Sequence, residues 1–248
     1  MGRWVKSDNM LEIVEIIRQA DSGTQEPFIC RGMDQEIYYV KGGRRTNRSS
    51  LIHEHLCAEL AQRLGLPQPP FHLAHISEDL IEETPAHLAS IGAGVSFASQ
   101  ERPGCTLLTP PQVDSIPLEL RQKLLVFDWW ILNGDRQDWN SNLLWDQSSM
   151  EVTVIDHNLA FDHTLSLETF LEYHIFREDW HTIDLAARAQ YQALLCDAMS
   201  STFLKACGTI PEEWFFLPPD CVDPANIDLN WIQQTLARCE SDKFWRLP

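Results

Sequence analysis

The chain is marked first by what it lacks. Its seven cysteines, Cys30, Cys57, Cys105, Cys196, Cys207, Cys221 and Cys239, never fall in a CxxC pair, which excludes a zinc ribbon and a disulfide frame and fits a reducing cytoplasm. No apolar run approaches the roughly 18 residues that a membrane helix needs. The start, MGRWVKSDNMLEIVEII, has no long apolar stretch followed by a small-residue cleavage site, so no signal peptide is expected. Gly2 follows Met1, but Lys6 stands where a myristoylation signal wants Ser or Thr. Positive charge is scarce too: 19 Lys and Arg against 36 Asp and Glu give a net charge of −17. A field that acidic repels phosphate backbones and anionic lipid, so neither a nucleic acid nor a membrane is an expected partner.

What is present is enough apolar material, 44% of 248 residues, for one large domain or two lobes around a cleft. Residues 11–40 read as three strands, LEIVEIIRQA, PFICRG and IYYVK, joined by the loop ADSGTQE and the turn MDQE. RSSLIHEHLCAELAQRLG has helical spacing, with Ser50 as the expected N-cap and Gly65 as the stop. FHLAHISEDLIEE and HLASIGAGVSFAS read as further strands. After SFASQERPGCTL the pattern turns helical: IPLELRQKLLVFDWWILNGD is a buried helix ended by Gly134, and most of 167–245 follows suit. One hairpin, NLLWD–QSSM–EVTVID, interrupts the helices. The expected division is therefore a β-rich part over 1–100 and an α-rich part over 101–248.

That hairpin gathers acidic and amide residues. If Asp146 pairs with Glu151 across the turn, the ladder runs back until Asp156 faces Ser141, with cross-strand neighbours about 5 Å apart. Asn140, Asn142 and Asp156 then converge, and Asp135 precedes them at the end of a buried helix. Oxygen donors of this kind suit a hard cation such as Mg²⁺. A further carboxylate could orient a hydroxyl for attack. Phosphoryl transfer asks for those parts plus a lysine on the phosphates. Lys41 closes the third strand, and the next helix carries Glu54 and Glu59. Lys41, Arg44, Arg45 and Arg48 also form the chain's one basic cluster, which could hold an anion or simply be a solvated loop.

YYVKGG, HEHLCAELAQRLGLPQPPF, FASQERPG, FDWWILNGDRQDWNSNLLWD, VIDHNLAF and IPEEW together resemble the HipA-like kinases, in the compact branch without an extra N-terminal subdomain. The resemblance implies an α+β, bilobal protein-kinase-like fold with a β-rich N-lobe and a mainly helical C-lobe. It implies Asp135 as the catalytic carboxylate, Asn140 and Asp156 as Mg²⁺ ligands, and Lys41, supported by Glu54, on the ATP phosphates. Asn142 matches a family position as well and is assigned to the architecture of the loop. The first loop has one glycine rather than GxGxxG, so the backbone amides of Ser22, Gly23 and Thr24 are the candidate phosphate cap. His157 follows Asp156 where ordinary protein kinases have Phe-Gly.

Other motifs carry less. HEH at 53–55 lacks the spacing of a metalloprotease site, GAG at 92–94 lacks a third glycine, and Trp129 and Trp130 have core spacing. Trp139 could wall the substrate side or pack the loop. Arg136 could steady a phosphate or Asp135, or make a structural salt bridge. The expected activity is a cytoplasmic ATP- and Mg²⁺-dependent kinase acting on Ser or Thr of a protein. The resemblance extends to the toxin-like component of a bacterial two-gene system with an antitoxin partner. The alternatives are a small-molecule or lipid kinase on the same scaffold, and a nucleotide-binding pseudokinase or interaction protein.

Overall fold

The computed structural model describes residues 10–20, 27–42, 47–218 and 222–246. Strands dominate the N-terminal part and helices the C-terminal part. The chain forms two compact units, one of residues 1–51, 69–101 and 211–226, the other of 52–68, 102–210 and 227–248.

The first unit is built on a closed barrel of five strands: β1 (Leu11–Gln19), β2 (Phe28–Gly32), β3 (Ile37–Lys41), β4 (Phe71–Ile76) and β5 (Gly94–Gln100), in the order β1-β2-β3-β5-β4. All neighbours are antiparallel except β1 and β4, whose parallel pairing closes the ring. The three strands expected over 11–40 are these first three. Alternation in LEIVEIIRQ is imperfect because the register slips twice against β2, so the buried Ile13 and Ile16 lie three apart. They join Phe28, Cys30, Tyr38, Val40, Ala74, Ile76 and Ala98 in the barrel core. SEDLIEE is not strand: Glu78–Glu83 form a short helix whose N-cap Ser77 accepts from the Leu80 N–H. Ser at the cap with two acidic residues in the first turn is a helix-start signal that outweighs the apolar residues around it. The segment 211–226 returns to this unit. There the Glu213 carboxylate accepts from the Val95 N–H at 2.9 Å and Trp214 donates its indole N–H to the Val95 carbonyl at 2.9 Å. Gly94, at φ +117°, leaves the room, since a Cβ there would sit 2.8 Å from a Glu213 oxygen.

The long helix Arg48–Arg63 starts two residues before the expected cap. Asn47, not Ser50, takes the Ser49 N–H on its side-chain oxygen. It ends as expected at Gly65, which adopts φ +65° while the Leu66 N–H reaches back to the Ala61 carbonyl. The boundary between the two units falls within this helix, after Leu51.

In the second unit, the helix Leu118–Trp130 and the three-stranded sheet of Thr106–Leu107, Leu143–Asp146 and Glu151–Val154 frame the loop 131–142. The hairpin register is the one expected, with Asp146 opposite Glu151 and Leu143 opposite Val154. The helix Leu118–Trp130 stops four residues short of Gly134, because Leu132 turns left-handed at φ +50°. Trp129 and Trp130 are core, each donating its indole N–H to a carbonyl, of Phe244 and Leu236 respectively. Further helices cover this unit: Leu167–Tyr173, Leu185–Ala198 running through a π-turn into Leu204–Thr209, and Leu229–Ala237. Among the described residues no helix is long and apolar enough to cross a membrane.

Candidate active site

Asp135 sits in the loop after the helix Leu118–Trp130 and is partly exposed. Asn140 donates its side-chain amide N–H to Asp135 Oδ2 at 3.0 Å, and Asn142 does the same at 2.8 Å. Both bonds land on one oxygen; among the described residues no hydrogen bond is made by Oδ1. With their Nδ2 atoms committed to Asp135, Asn140 and Asn142 present their carbonyl oxygens in other directions. Burial pushes the Asp135 carboxyl above the ordinary carboxylate range and the Asp156 charge adds to this, while the bonds from Asn142 and Asn140 and the Arg136 charge oppose it.

Asp156 follows the second hairpin strand at φ +60°, and Asn142 stands at φ +48°. The two left-handed residues flank a backbone link, Ile155 N–H to the Asn142 carbonyl at 3.1 Å. Left-handed backbone at non-glycine residues is strained and persists where surrounding bonds hold it. Here the holding groups are visible. The buried Glu54 carboxylate accepts the His157 N–H, the residue next to Asp156, at 3.3 Å to both oxygens. Glu54 thus fixes the Asp156 segment, a role its helix position alone did not suggest.

Arg136 is fully buried. Its Nε donates to Asp128 Oδ2 at 2.6 Å and its Nη2 to Asp128 Oδ1 at 3.3 Å, while Nη1 donates to the carbonyls of Ser141 at 3.2 Å and Asn142 at 2.6 Å. It is a structural clamp on the loop and is not exposed to a ligand. Asp128, also fully buried, takes further bonds from Asn133 Nδ2 at 2.9 Å and from His174 Nε2 at 3.0 Å. His174 Nδ1 accepts the Phe176 N–H at 3.1 Å, so the ring carries its proton on Nε2 and is neutral in this arrangement. Burial would raise the Asp128 carboxyl, but the Arg136 charge and the bonds from His174 and Arg136 outweigh it and hold the group well below the carboxylate range. Sequence reasoning passed over this network. The signal was a lone charge in the apolar run LLVFDWWIL, a helix buried on all sides at its C-terminal end.

The structure therefore brings together Asp135, Asn140, Asn142 and Asp156 in one unit, with Glu54 behind them. Lys41 is the last residue of β3, opposite Phe97, in the barrel unit. Ser22, Gly23 and Thr24, and with them Arg44 and Arg45, lie outside the described residues. Among the described residues no cluster of three or more His, Cys, Asp or Glu assembles. The Asp135 carboxyl, raised by the Asp156 charge, beside two amide oxygens fits a hard cation completed by phosphate and water, the usual habit of Mg²⁺.

The sequence matches the family model described as HipA-like kinase over residues 13–248. The chain belongs to the HipA-like kinases. No curated protein matches it. Among solved structures, this HipA-like kinase is similar to the Helicobacter pylori proinflammatory kinase CtkA, with TM-score 0.51 and 10% identity, covering 94% of this chain and 93% of that one. At that identity the likeness shows the fold. A second likeness, to the structure titled as a complete CtTel1 dimer, has TM-score 0.37 and 16% identity over 92% of this chain and 12% of that one, too weak to carry an argument. Family membership supports kinase function for this HipA-like member.

Proposed function

We propose that the chain is an ATP- and Mg²⁺-dependent kinase that transfers the γ-phosphate to a Ser or Thr hydroxyl of a protein, on a bilobal kinase-like scaffold with a β-rich N-lobe over 1–100 and a helical C-lobe over 101–248. The observation that carries this reading is the Asp135 carboxylate, pinned through one oxygen by Asn140 and Asn142 and open at the other. A hydroxyl hydrogen-bonded to Oδ1 is oriented for attack and can pass its proton to the carboxylate. Asn140 and Asp156 would hold the cation, which when bound neutralises phosphate charge. Lys41 is assigned to the nucleotide phosphates on its place at the end of β3, and Ser22, Gly23 and Thr24 on the family pattern. A cytoplasmic location and a toxin-like role with an antitoxin partner rest on composition and family membership; co-purification with the product of a neighbouring gene tests the latter.

The deciding experiment is Mg²⁺-dependent ATP binding and turnover by wild type, Asp135→Ala and Asp156→Ala. The expected outcome is turnover in wild type only, with nucleotide binding kept in Asp135→Ala and metal-dependent binding lost in Asp156→Ala. Turnover retained in Asp135→Ala refutes the assignment, and no nucleotide binding by wild type leaves an interaction protein. A panel of protein, small-molecule and lipid acceptors separates the protein kinase from its alternatives.

A further inference from the structure

The residue beside Asn140 is Trp139, and it is 71% exposed. A tryptophan that packed the loop would be covered. The backbone explains why it is not. Gln137 N–H donates to the Asn140 carbonyl at 2.8 Å and Asn140 N–H returns to the Gln137 carbonyl at 3.1 Å, a tight turn with Asp138 and Trp139 at its tip. The base of that turn is held by Gln137 Nε2 on the Gly134 carbonyl and by a bridge from Gln137 to His174. Trp139 is thus displayed on a rigid support one residue from the side chain that pins the catalytic carboxylate. Its ring meets Tyr173 edge-on, with centroids 5.8 Å apart, and Tyr173 is itself exposed.

The charges around this aromatic ledge are mostly negative. Glu172 stands beside the Tyr173 hydroxyl and pushes its pKa up, Asp138 pairs with Arg177 at 2.9 Å, and Glu178, 88% exposed, lies 3.7 Å from the same guanidinium. Arg177 is thus shared by two carboxylates, and Glu172 adds a third negative charge beside Tyr173. Arg238 covers the buried Trp129, whereas among the described residues no cation lies over Trp139. An open indole face in an acidic surround is a site for a cation.

We propose that the Trp139–Tyr173 ledge is the acceptor-docking surface of this kinase and that it takes a Lys or Arg side chain of a polypeptide, placed within a few residues of the hydroxyl to be phosphorylated. This deepens the kinase assignment and rests on it. The basic side chain stacks on Trp139 while Glu172 and Asp138 attract it, and the backbone that follows enters beside Asp135.

The test uses the full chain, Mg²⁺ with γ-labelled ATP, and a positional-scanning library of Ser and Thr peptides. Wild type is expected to favour Arg or Lys at one or two positions flanking the hydroxyl. Trp139→Ala is expected to raise KM for the best basic peptide about fivefold relative to KM for its alanine-flanked counterpart, with kcat for both nearly unchanged. Trp139→Phe, which keeps a ring and the fold, is expected to fall between the two. Labelling without basic preference, or an unchanged KM ratio in Trp139→Ala, overturns the proposal while leaving the kinase intact. ATP turnover with no peptide labelled overturns it in the same way. Absence of both labelling and ATP turnover in wild type removes the kinase assignment and the ledge with it.

Discussion

Replacing Arg136 by Met keeps a long apolar stem and removes the clamp. Four hydrogen bonds donated by Arg136 vanish, two to Asp128 and two to the loop carbonyls of Ser141 and Asn142. Asp128 then stays buried as an anion with only Asn133 and His174 against it. Breaking one side of a buried pair costs about 3–5 kcal/mol. The Ser141 carbonyl loses its guanidinium partner, while the Asn142 carbonyl keeps the Ile155 N–H, so the loop adds about 1 kcal/mol. The total, about 4–6 kcal/mol, is a large share of a stability of about 5–15 kcal/mol. Removing both charges in Asp128→Leu/Arg136→Met leaves the Asn133 and His174 donors without their acceptor but no buried charge, so the double variant should be more stable than Arg136→Met alone. The coupling in the cycle should be about 3 kcal/mol. Urea unfolding followed by tryptophan fluorescence measures this. Phosphoryl transfer, assayed at a temperature where every variant is folded, should fall about 100-fold in both, because the Ser141 and Asn142 carbonyls lose their anchor in each and Asn142 is one of the two amides that pin Asp135. An Arg136→Met protein within 1 kcal/mol of wild type, or a double variant less stable than the single, refutes the argument.

Two further outcomes follow from the titrating groups. Asn142→Gly keeps the backbone angle but removes the amide that lowers the Asp135 pKa, so the acid limb of kcat should move to higher pH; a limb that stays in place or moves down contradicts this. Burial pushes His55 from 6.5 down to about 4 and lowers His174 as well, so between those values the unfolded chain binds more protons than the folded one. Stability should be complete above about pH 6.5 and fall by up to about 1.4 kcal/mol per pH unit per residue as pH drops toward 4. Urea midpoints at pH 7 and 5 check this, and His55→Gln should flatten the slope; equal midpoints in wild type would show these rings are not held neutral.

The hairpin and its convergence of Asn140, Asn142 and Asp156 were legible because strand register follows from the turn, and a two-residue period leaves little freedom. The strands up to Lys41 were legible from β-branched and aromatic content. The helix at Glu78 was hidden by its short length, and the early end of the helix at Trp130 by Leu132, a residue type that rarely turns left-handed. The clamp was the hardest to see. Asp128, Arg136 and His174 span 46 residues, and only the folded chain shows that they share one buried carboxylate.

The barrel unit is not finished by its own five strands. Glu213 and Trp214, which close on Val95, follow it by 118 and 119 residues. At a synthesis rate of about 5–20 residues per second, β5 waits about 6–24 s before its partners exist. During that interval the nascent barrel lacks the indole that comes to be fully buried against it. The order of events on the ribosome is then set from the far end of the helical region, and a nascent chain ending near residue 101 lacks the two contacts that close on Val95.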